Sequence, residues 1–239
     1  MTNVVAHRGA RRLALENTLA AFSKAIEIGA DMIEYDVRRT GDGVLVVSHD
    51  PSWQGRRIGE WVYSDLLTSA QGTGRFCTLE EVTQLASGSI GQNIELKELG
   101  CEDSVLAVLE ASLGHGDVVI TSFIDDVVRG IKERHGGVRA GLLVAPDIPQ
   151  EVVDARRTEH LGPPIFVRAE RCGADLIVTH EDMVTGQLLD DAAARRLPVY
   201  VYTVNNPAKL RQFMADPRIG GVITDVPDQA LAIRELVSS

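Results

Sequence analysis

Residues 33–50 read IEYDVRRTGDGVLVVSHD. An apolar, β-branched run carries Glu34 and Asp36 two positions apart, reverses at TGDG (40–43), and returns through VLVVSH (44–49) to end on His49-Asp50. Alternate side chains of a strand share a face, so both carboxylates are expected on one side, with Tyr35 and Val37 on the other. Two like charges on one face repel, and burying them unpaired is costly. A positive object is therefore expected in front of them. The tight, Gly-containing turn makes the second run an antiparallel hairpin partner of the first, not a parallel neighbour.

The same kind of run recurs along the chain. VVAH (4–7), MIEYDV (32–37), NIELK (93–97), VVITSF (118–123), AGLLV (140–144), DLIVTH (175–180), VYVYTV (199–204) and GVITD (221–225) make eight, and amphipathic segments lie between them. Asn17 or Thr18 can cap a helix carrying Leu19, Phe22 and Ile26 that ends at Gly29. Thr78-Leu79-Glu80-Glu81 has the form of a capping box. Val105, Leu106, Leu109 and Leu113 form an apolar stripe ending at Gly114, and Pro207 suits the first turn of a helix carrying Leu210, Phe213 and Met214. GAD occurs at 29–31 and again at 173–175, each time just before a strand.

Eight strands with helical crossovers in 239 residues predict an α/β (β/α)₈ TIM barrel, one domain over 1–239 with a short insertion at about 50–78 after the second strand. A doubly wound open sheet is the rival, but no GxGxxG or GxxxxGK[ST] phosphate loop follows any strand.

Composition narrows the function class. The chain is 44% hydrophobic and 24% charged, which is ordinary for a globular domain with a substantial core. No apolar run approaches the ~18 residues of a membrane span, so no stable membrane insertion is expected. No basic leader with an apolar stretch opens the sequence, so a cytoplasmic location is expected. Cys77, Cys101 and Cys172 are odd in number and lack metal-ligand spacing, which favours reduced, buried thiols over disulfides or a thiolate zinc site. A net charge of −10 argues against nucleic-acid partners while leaving room for an anionic small substrate at a locally positive site. Oligomeric state is not legible.

In a barrel, functional groups gather where strands end. The first run ends at His7-Arg8-Gly9, the second at Glu34 and Asp36, the third at Glu95 and Lys97, and the hairpin returns His49 to the same mouth. Three carboxylates, a divalent ion and two cations leave one positive charge, which a singly charged phosphodiester would neutralise. All-oxygen ligation suggests a hard ion, Mg²⁺ or Ca²⁺, rather than zinc. Two histidines suit proton transfer near neutral pH, and the set describes metal-assisted phosphodiester cleavage. Taken singly, each residue has a plainer explanation: Glu95–Lys97 as a same-face ion pair, His7 as a core histidine, His49-Asp50 as a polar turn. Their convergence is what points to a site.

The stretches AHRGARRLALENTLAAF, GADMIEYDVRRTGDGVLVVSHD, TLEEV, NIELK, SF, VYTVN and GVITD, in this order and over nearly the whole chain, resemble the glycerophosphodiester phosphodiesterases. The resemblance implies a (β/α)₈ barrel that hydrolyses glycerophosphodiesters to glycerol 3-phosphate and an alcohol. By matching motif positions it implies His7 and His49 as the acid/base pair, Glu34, Asp36 and Glu95 as metal ligands, and Arg8 and Lys97 as phosphate contacts. It also implies attack of the glycerol 2-hydroxyl on phosphorus, giving a cyclic phosphate that water opens; proximity makes that attack effectively intramolecular.

The sequence departs from the family pattern after His49-Asp50. Residues 51–76 are shortened and lack an Arg-Thr-Thr stretch frequent there, so the resemblance does not carry over the identity of the alcohol. Tyr202 stands where Trp is frequent. Phe123 and Tyr202 are candidates for contact with the organic part of the substrate, and His180 is a minor one. Trp53, Trp61 and Phe76 fit an apolar cap better than the site. Glu16 and Asn17 are expected to cap the first helix, Asp125-Asp126 to sit in a helix first turn, and His115, His135 and His160 to be solvated. Two further readings remain: a phospholipase D-type hydrolase of lysophospholipids or other head-group diesters, and a non-catalytic phosphodiester-binding module.

Overall fold

The computed structural model describes residues 1–112, 117–146 and 164–237. Leu113, Gly114, His115 and His160 lie outside them. The first half runs β1 (Asn3–His7), α1 (Leu19–Glu27), β2 (Met32–Arg39), β3 (Leu45–Val47), β4 (Ser52–Trp53), β5 (Arg56–Arg57), α2 (Tyr63–Ser69), α3 (Leu79–Ala86), β6 (Gly91–Leu96) and α4 (Glu102–Ser112). There follow β7 (Val118–Ser122), α5 (Asp125–Arg134), β8 (Arg139–Val144), α6 (Ile165–Cys172), β9 (Leu176–His180), α7 (Gly186–Ala194), β10 (Val199–Tyr202), α8 (Pro207–Met214), β11 (Ile219–Thr224) and α9 (Pro227–Val237).

Eight parallel strands close into a barrel in the order β1-β2-β6-β7-β8-β9-β10-β11, with β11 pairing back to β1. The expected (β/α)₈ architecture is what forms. Strand β2 overshoots β1: Met32–Glu34 pair with β1, whereas Val37–Arg39 pair with the antiparallel β3. The hairpin read from TGDG thus occupies the edge that β1 vacates, and it brings His49 back to the level of Asp36, whose carbonyl accepts from Ser48 N–H at 2.9 Å.

Alternation along each strand separates two cores. Val5, Met32, Val119, Leu143, Leu176, Val178, Tyr200 and Ile223 fill the barrel interior. The opposite faces, among them Tyr35, Val37, Ile94, Leu96, Ile120 and Leu142, pack on helix residues such as Phe22, Leu79, Leu106, Leu109, Val127 and Ile131. Burial of each such side chain is worth roughly 1.5–3 kcal/mol relative to exposure. Residues 52–76 carry their own satellite core of Ile58, Leu66, Ala70 and Phe76 around Val46, with Trp53 and Trp61 packed on it.

Local signals held where they were chemical. The Thr78–Glu81 capping box is complete, and Thr18 Oγ1 caps α1 by accepting from Ala21 N–H. The repeated GAD also has a structural meaning. Gly29 and Gly173 both adopt left-handed backbone (φ 78° and 70°) just past a helix end. Two residues on, Asp31 accepts from Val4 N–H at 2.6 Å and Asp175 from Ala140 N–H at 2.8 Å, so each aspartate ties the entry of its strand to the preceding strand.

Candidate functional site

The site is built at the carboxyl ends of β1, β2 and β6. Register does the first part of the work: His7 sits beside Glu34, and Asp36 beside Glu95. Ligand oxygens of Glu34, Asp36 and Glu95, all three buried, consequently lie within 4.8 Å of one another.

The turn after β1 does the second part. Arg8 and Gly9 both have positive φ (55° and 79°). A Cβ on Gly9 would fall 2.7 Å from the Ala21 backbone, so only glycine lets this turn lie against α1. The turn aims the Arg8 amide at Glu34 Oε2 (2.9 Å), while its guanidinium reaches Glu16 (2.9 Å) and stands 3.4 Å from Asp36 Oδ2. Lys97, on the same face as Glu95, donates to Glu95 Oε1 at 2.5 Å and stands 2.9 Å from Asp36 Oδ1.

Three buried carboxylates share two partly buried cations, and the electrostatics record the shortage. Burial pushes Glu34 well above the usual carboxylate range, and the charges of Asp36 and Glu95 push it further. Burial also raises Glu95, to about 6, against the opposing pull of Lys97. Asp36 is likewise desolvated, but Lys97, Arg8 and His49 outweigh that and hold it ionised well below its ordinary value. Lys97 is lowered by burial and raised more strongly by Asp36 and Glu95. The cluster therefore lacks positive charge. Arg8 takes one oxygen of Glu34 and Lys97 one of Glu95, leaving the second oxygen of each glutamate for a further cation. A hard divalent ion fits this all-oxygen, buried, charge-deficient set.

The two histidines are anchored differently. His7 Nδ1 lies 2.6 Å from Asp225 Oδ1, deep at the rim. His49 is 39% exposed, with Nδ1 at 3.0 Å from Asp50. Its backbone carbonyl is clamped by Arg38, whose Nε and Nη2 donate at 3.1 and 2.7 Å. Burial, then the Lys97 charge, lowers the His49 pKa.

These groups face a cavity of about 350 Å³. One wall is His7, Arg8, Glu34, His49, Glu95 and Lys97; the other includes Phe123, Leu143, Ala145, His180 and Tyr202. Phe123 and His180 each meet the Tyr202 ring edge-on, at 6.3 and 5.7 Å between centroids, and the Tyr202 hydroxyl donates to Val144 O at 2.9 Å. All nine residues singled out from the sequence thus meet at or beneath one cavity, with Asp36 the most enclosed at 1% exposure. Trp53 and Phe76 pack on each other at 5.3 Å beside a small recess that shares His49 with the main cavity, and Trp61 stacks under Arg56. His135 is half-exposed beside Glu110, and Asp125 opens α5 while pairing with Arg168.

One expectation is corrected. Glu16 and Asn17 do not cap α1, because Thr18 holds that place. Glu16 instead binds Arg8 and Arg11, and Asn17, with φ 55°, donates to Asp36 Oδ2 at 2.8 Å. Asp225, Asn205 and Arg38 join the site without having been assigned a role from the sequence pattern. Asp225 ends the GVITD run, so the strand-end test applied to the first three strands would have found it.

Comparison with known proteins supplies an independent line. The model of the "Glycerophosphoryl diester phosphodiesterase family" matches residues 7–229. A glycerophosphodiester phosphodiesterase of Caldanaerobacter subterraneus subsp. tengcongensis is 27% identical, over 95% of this chain and 95% of its own. The crystal structure of a glycerophosphodiester phosphodiesterase from Thermotoga maritima superposes with a TM-score of 0.76 at 28% identity, covering 98% of this chain and 99% of that one. An Oleispira antarctica phosphodiesterase, solved in complex with the product sn-glycerol-3-phosphate, superposes with a TM-score of 0.80 at 23% identity, over 98% and 97%.

Proposed function

This chain belongs to the glycerophosphoryl diester phosphodiesterase family and hydrolyses glycerophosphodiesters; from that premise we propose that it releases glycerol 3-phosphate and an alcohol by metal-dependent catalysis with His7 and His49 as the acid/base pair. The observation that carries the reading is the convergence of three buried carboxylates, two cations and two histidines on one cavity.

Glu34, Asp36 and Glu95 would hold a Mg²⁺ or Ca²⁺ ion, whose chemistry when bound is to draw charge from a phosphoryl oxygen. Arg8 and Lys97, both held at the cavity by carboxylates, place positive charge where the phosphodiester anion sits. That anion also offsets the Lys97 charge that lowers His49, restoring the proton affinity an acid/base group needs. Phe123 and Tyr202 present aromatic faces to the organic part of the substrate. With a glycerol hydroxyl held beside phosphorus, internal attack gives a cyclic phosphate, and water opens it in a second step. Sn-glycerol-3-phosphate in the Oleispira antarctica neighbour supports the product.

The barrel with its 50–78 insertion acts as one catalytic domain on this reading. Cys77, Cys101 and Cys172, free and buried, suit a reducing cytoplasm. Among the described residues no helix is long and apolar enough to cross a membrane.

The test follows glycerol 3-phosphate release from glycerophosphocholine after EDTA treatment and after restoring Mg²⁺ or Ca²⁺, with His49→Ala alongside. Release abolished by EDTA, restored by one ion and absent in the variant supports the assignment. Full activity in EDTA removes the metal from it. Competition by a long-chain lysolipid that is itself hydrolysed redirects the substrate assignment to lysophospholipids.

A further inference from the structure

We propose that Arg38 is a positioning residue for His49: its guanidinium, locked onto the His49 carbonyl, sets where the imidazole stands at the cavity mouth and thereby the rate of the proton transfer that His49 carries. The inference rests on the reading of His49 as an acid/base group given above, and holds whichever way its proton moves.

The geometry follows from strand alternation. Glu34, Asp36 and Arg38 are spaced by two along β2 and share a face, but Arg38 lies where β2 pairs with the hairpin, opposite Val46 of β3. Arg38 is 4% exposed and, unlike Arg8 and Lys97, is not among the described residues that line the cavity. It therefore reaches the chemistry only through another group. Two N–H groups from one edge of its guanidinium, Nε and Nη2, converge on His49 O at 3.1 and 2.7 Å. A planar fork of this kind fixes direction as well as distance, which an ammonium on a flexible stem does not.

His49 depends on this anchor because its ring has little else to hold it. Nδ1 meets Asp50 at 3.0 Å, but Asp50 is the next residue and is 76% exposed, so it moves with the histidine instead of holding it from outside. The ties of 48–50 run through the backbone. Ser48 N–H donates to Asp36 O at 2.9 Å on one side of His49, Arg38 holds the His49 carbonyl on the other, and Ser48 Oγ closes onto Asp50 O at 3.0 Å. Strand β2 thus sets the Asp36 carboxylate and the His49 backbone in one frame. Misplacing a reacting group by about 1 Å can cost ~10²-fold in rate, so loss of the fork leaves His49 present but badly aimed.

The experiment is a double-mutant cycle on the full chain, following glycerol 3-phosphate release from glycerophosphocholine with Mg²⁺ or Ca²⁺ supplied, as rates per folded molecule. Arg38→Gln should lower kcat ~30–100-fold with KM within ~3-fold. In a His49→Ala background the same change should cost less than ~3-fold, because the group it aims is gone. Arg38→Lys, which keeps the charge and loses the fork, should stay at least ~5-fold below wild type. If Arg38→Gln does not fold, Arg38→Lys takes its place in the cycle. Additive losses, an unchanged kcat, a loss carried by KM, or full activity of Arg38→Lys each overturn the proposal. An independent reading comes from the His49 ¹³Cε1–¹Hε1 resonance, assigned by its loss in His49→Ala and recorded with Mg²⁺ present. Arg38→Gln should shift or broaden it while leaving in place that of His135, beside Glu110 at the end of α5. An unmoved His49 resonance overturns the proposal even if turnover falls. A wild type inert on every glycerophosphodiester, or a fully active His49→Ala, would instead fail the acid/base reading, and the resonance would still decide whether Arg38 positions the ring.

Discussion

The two ends of the stretch that β2 runs inside the barrel, before it continues into its hairpin with β3, carry acids in opposite circumstances. At its entry, Asp31 accepts one backbone N–H and pairs with one cation, Arg234. At its exit, Glu34 and Asp36, with Glu95 from the next strand, crowd three carboxylates around two cations. Asp175 repeats the entry arrangement at β9, with the Ala140 N–H and Lys132 at 2.8 Å each. Where each carboxylate has its own donor and cation, the group serves the fold. Where charges are short of partners, the cluster is suited to a cation from outside. The pKa directions agree, since Glu34 and Glu95 are pushed up by burial and by their acidic neighbours.

The sharpest way to break this comparison is to neutralise one acid at each end. Glu34→Gln should lower glycerol 3-phosphate release on the order of 10³-fold, from loss of several kcal/mol of charge stabilisation. Its melting temperature in EDTA should stay level or rise, because the crowding is relieved. Asp31→Asn should do the reverse. Loss of a charged hydrogen bond and ion pair costs roughly 1.5–3 kcal/mol in denaturant unfolding, while activity per folded molecule is kept. Equal destabilisation by both variants would show that the exit cluster is structural after all.

Acid titration sharpens the contrast. Glu95 is raised to about 6, above the ~4.3 of an unfolded chain. Its contribution is therefore fully present at low pH and lost as pH rises through about 6, worth about 2 kcal/mol for the metal-free protein. Asp225 is the opposite case. His7 holds it at about 2 against the effect of burial, so its contribution is present above pH ~4 and lost as pH falls toward 2. Urea midpoints in EDTA should thus rise on acidification from pH 7 to about 4.5, then fall. Addition of Mg²⁺ or Ca²⁺ should remove the rise, since a bound cation keeps Glu95 ionised.

The smallest effect is expected across the cavity. Tyr202→Phe deletes the 2.9 Å bond to Val144 O while keeping the ring that meets Phe123 and His180. It should cost about 1 kcal/mol of stability and change kcat by less than ~3-fold. A larger loss of activity would give the Tyr202 hydroxyl a part in the chemistry.

Much of the fold was legible because its signals are local. Strand runs, the TGDG reversal, the Thr78–Glu81 box and the Pro207 helix start each depend on a few neighbouring residues. Asn17 shows where local preference misleads. Either Asn17 or Thr18 satisfies a capping rule, and the extended backbone of Thr18 (φ −131°) takes the cap, which frees Asn17 to hold Asp36. Nothing within a helix-length window distinguishes the two. Asp225 shows the other limit: its place at a strand end is a local signal, but its partner His7 is 218 positions away and no periodicity connects them.

By itself, the sequence determined that Glu34 and Asp36 share a face, that Glu95 and Lys97 do likewise, and that His7 ends a strand while His49 follows one, because side-chain alternation is a property of one strand. Only the tertiary structure decided that β2 and β6 pair in the register placing Asp36 beside Glu95, that two cations must serve three carboxylates, and that His7 leans on Asp225. Register and closure are set by the packing of all eight strands and their helices together, and proximity between distant residues is the one quantity a linear pattern does not contain.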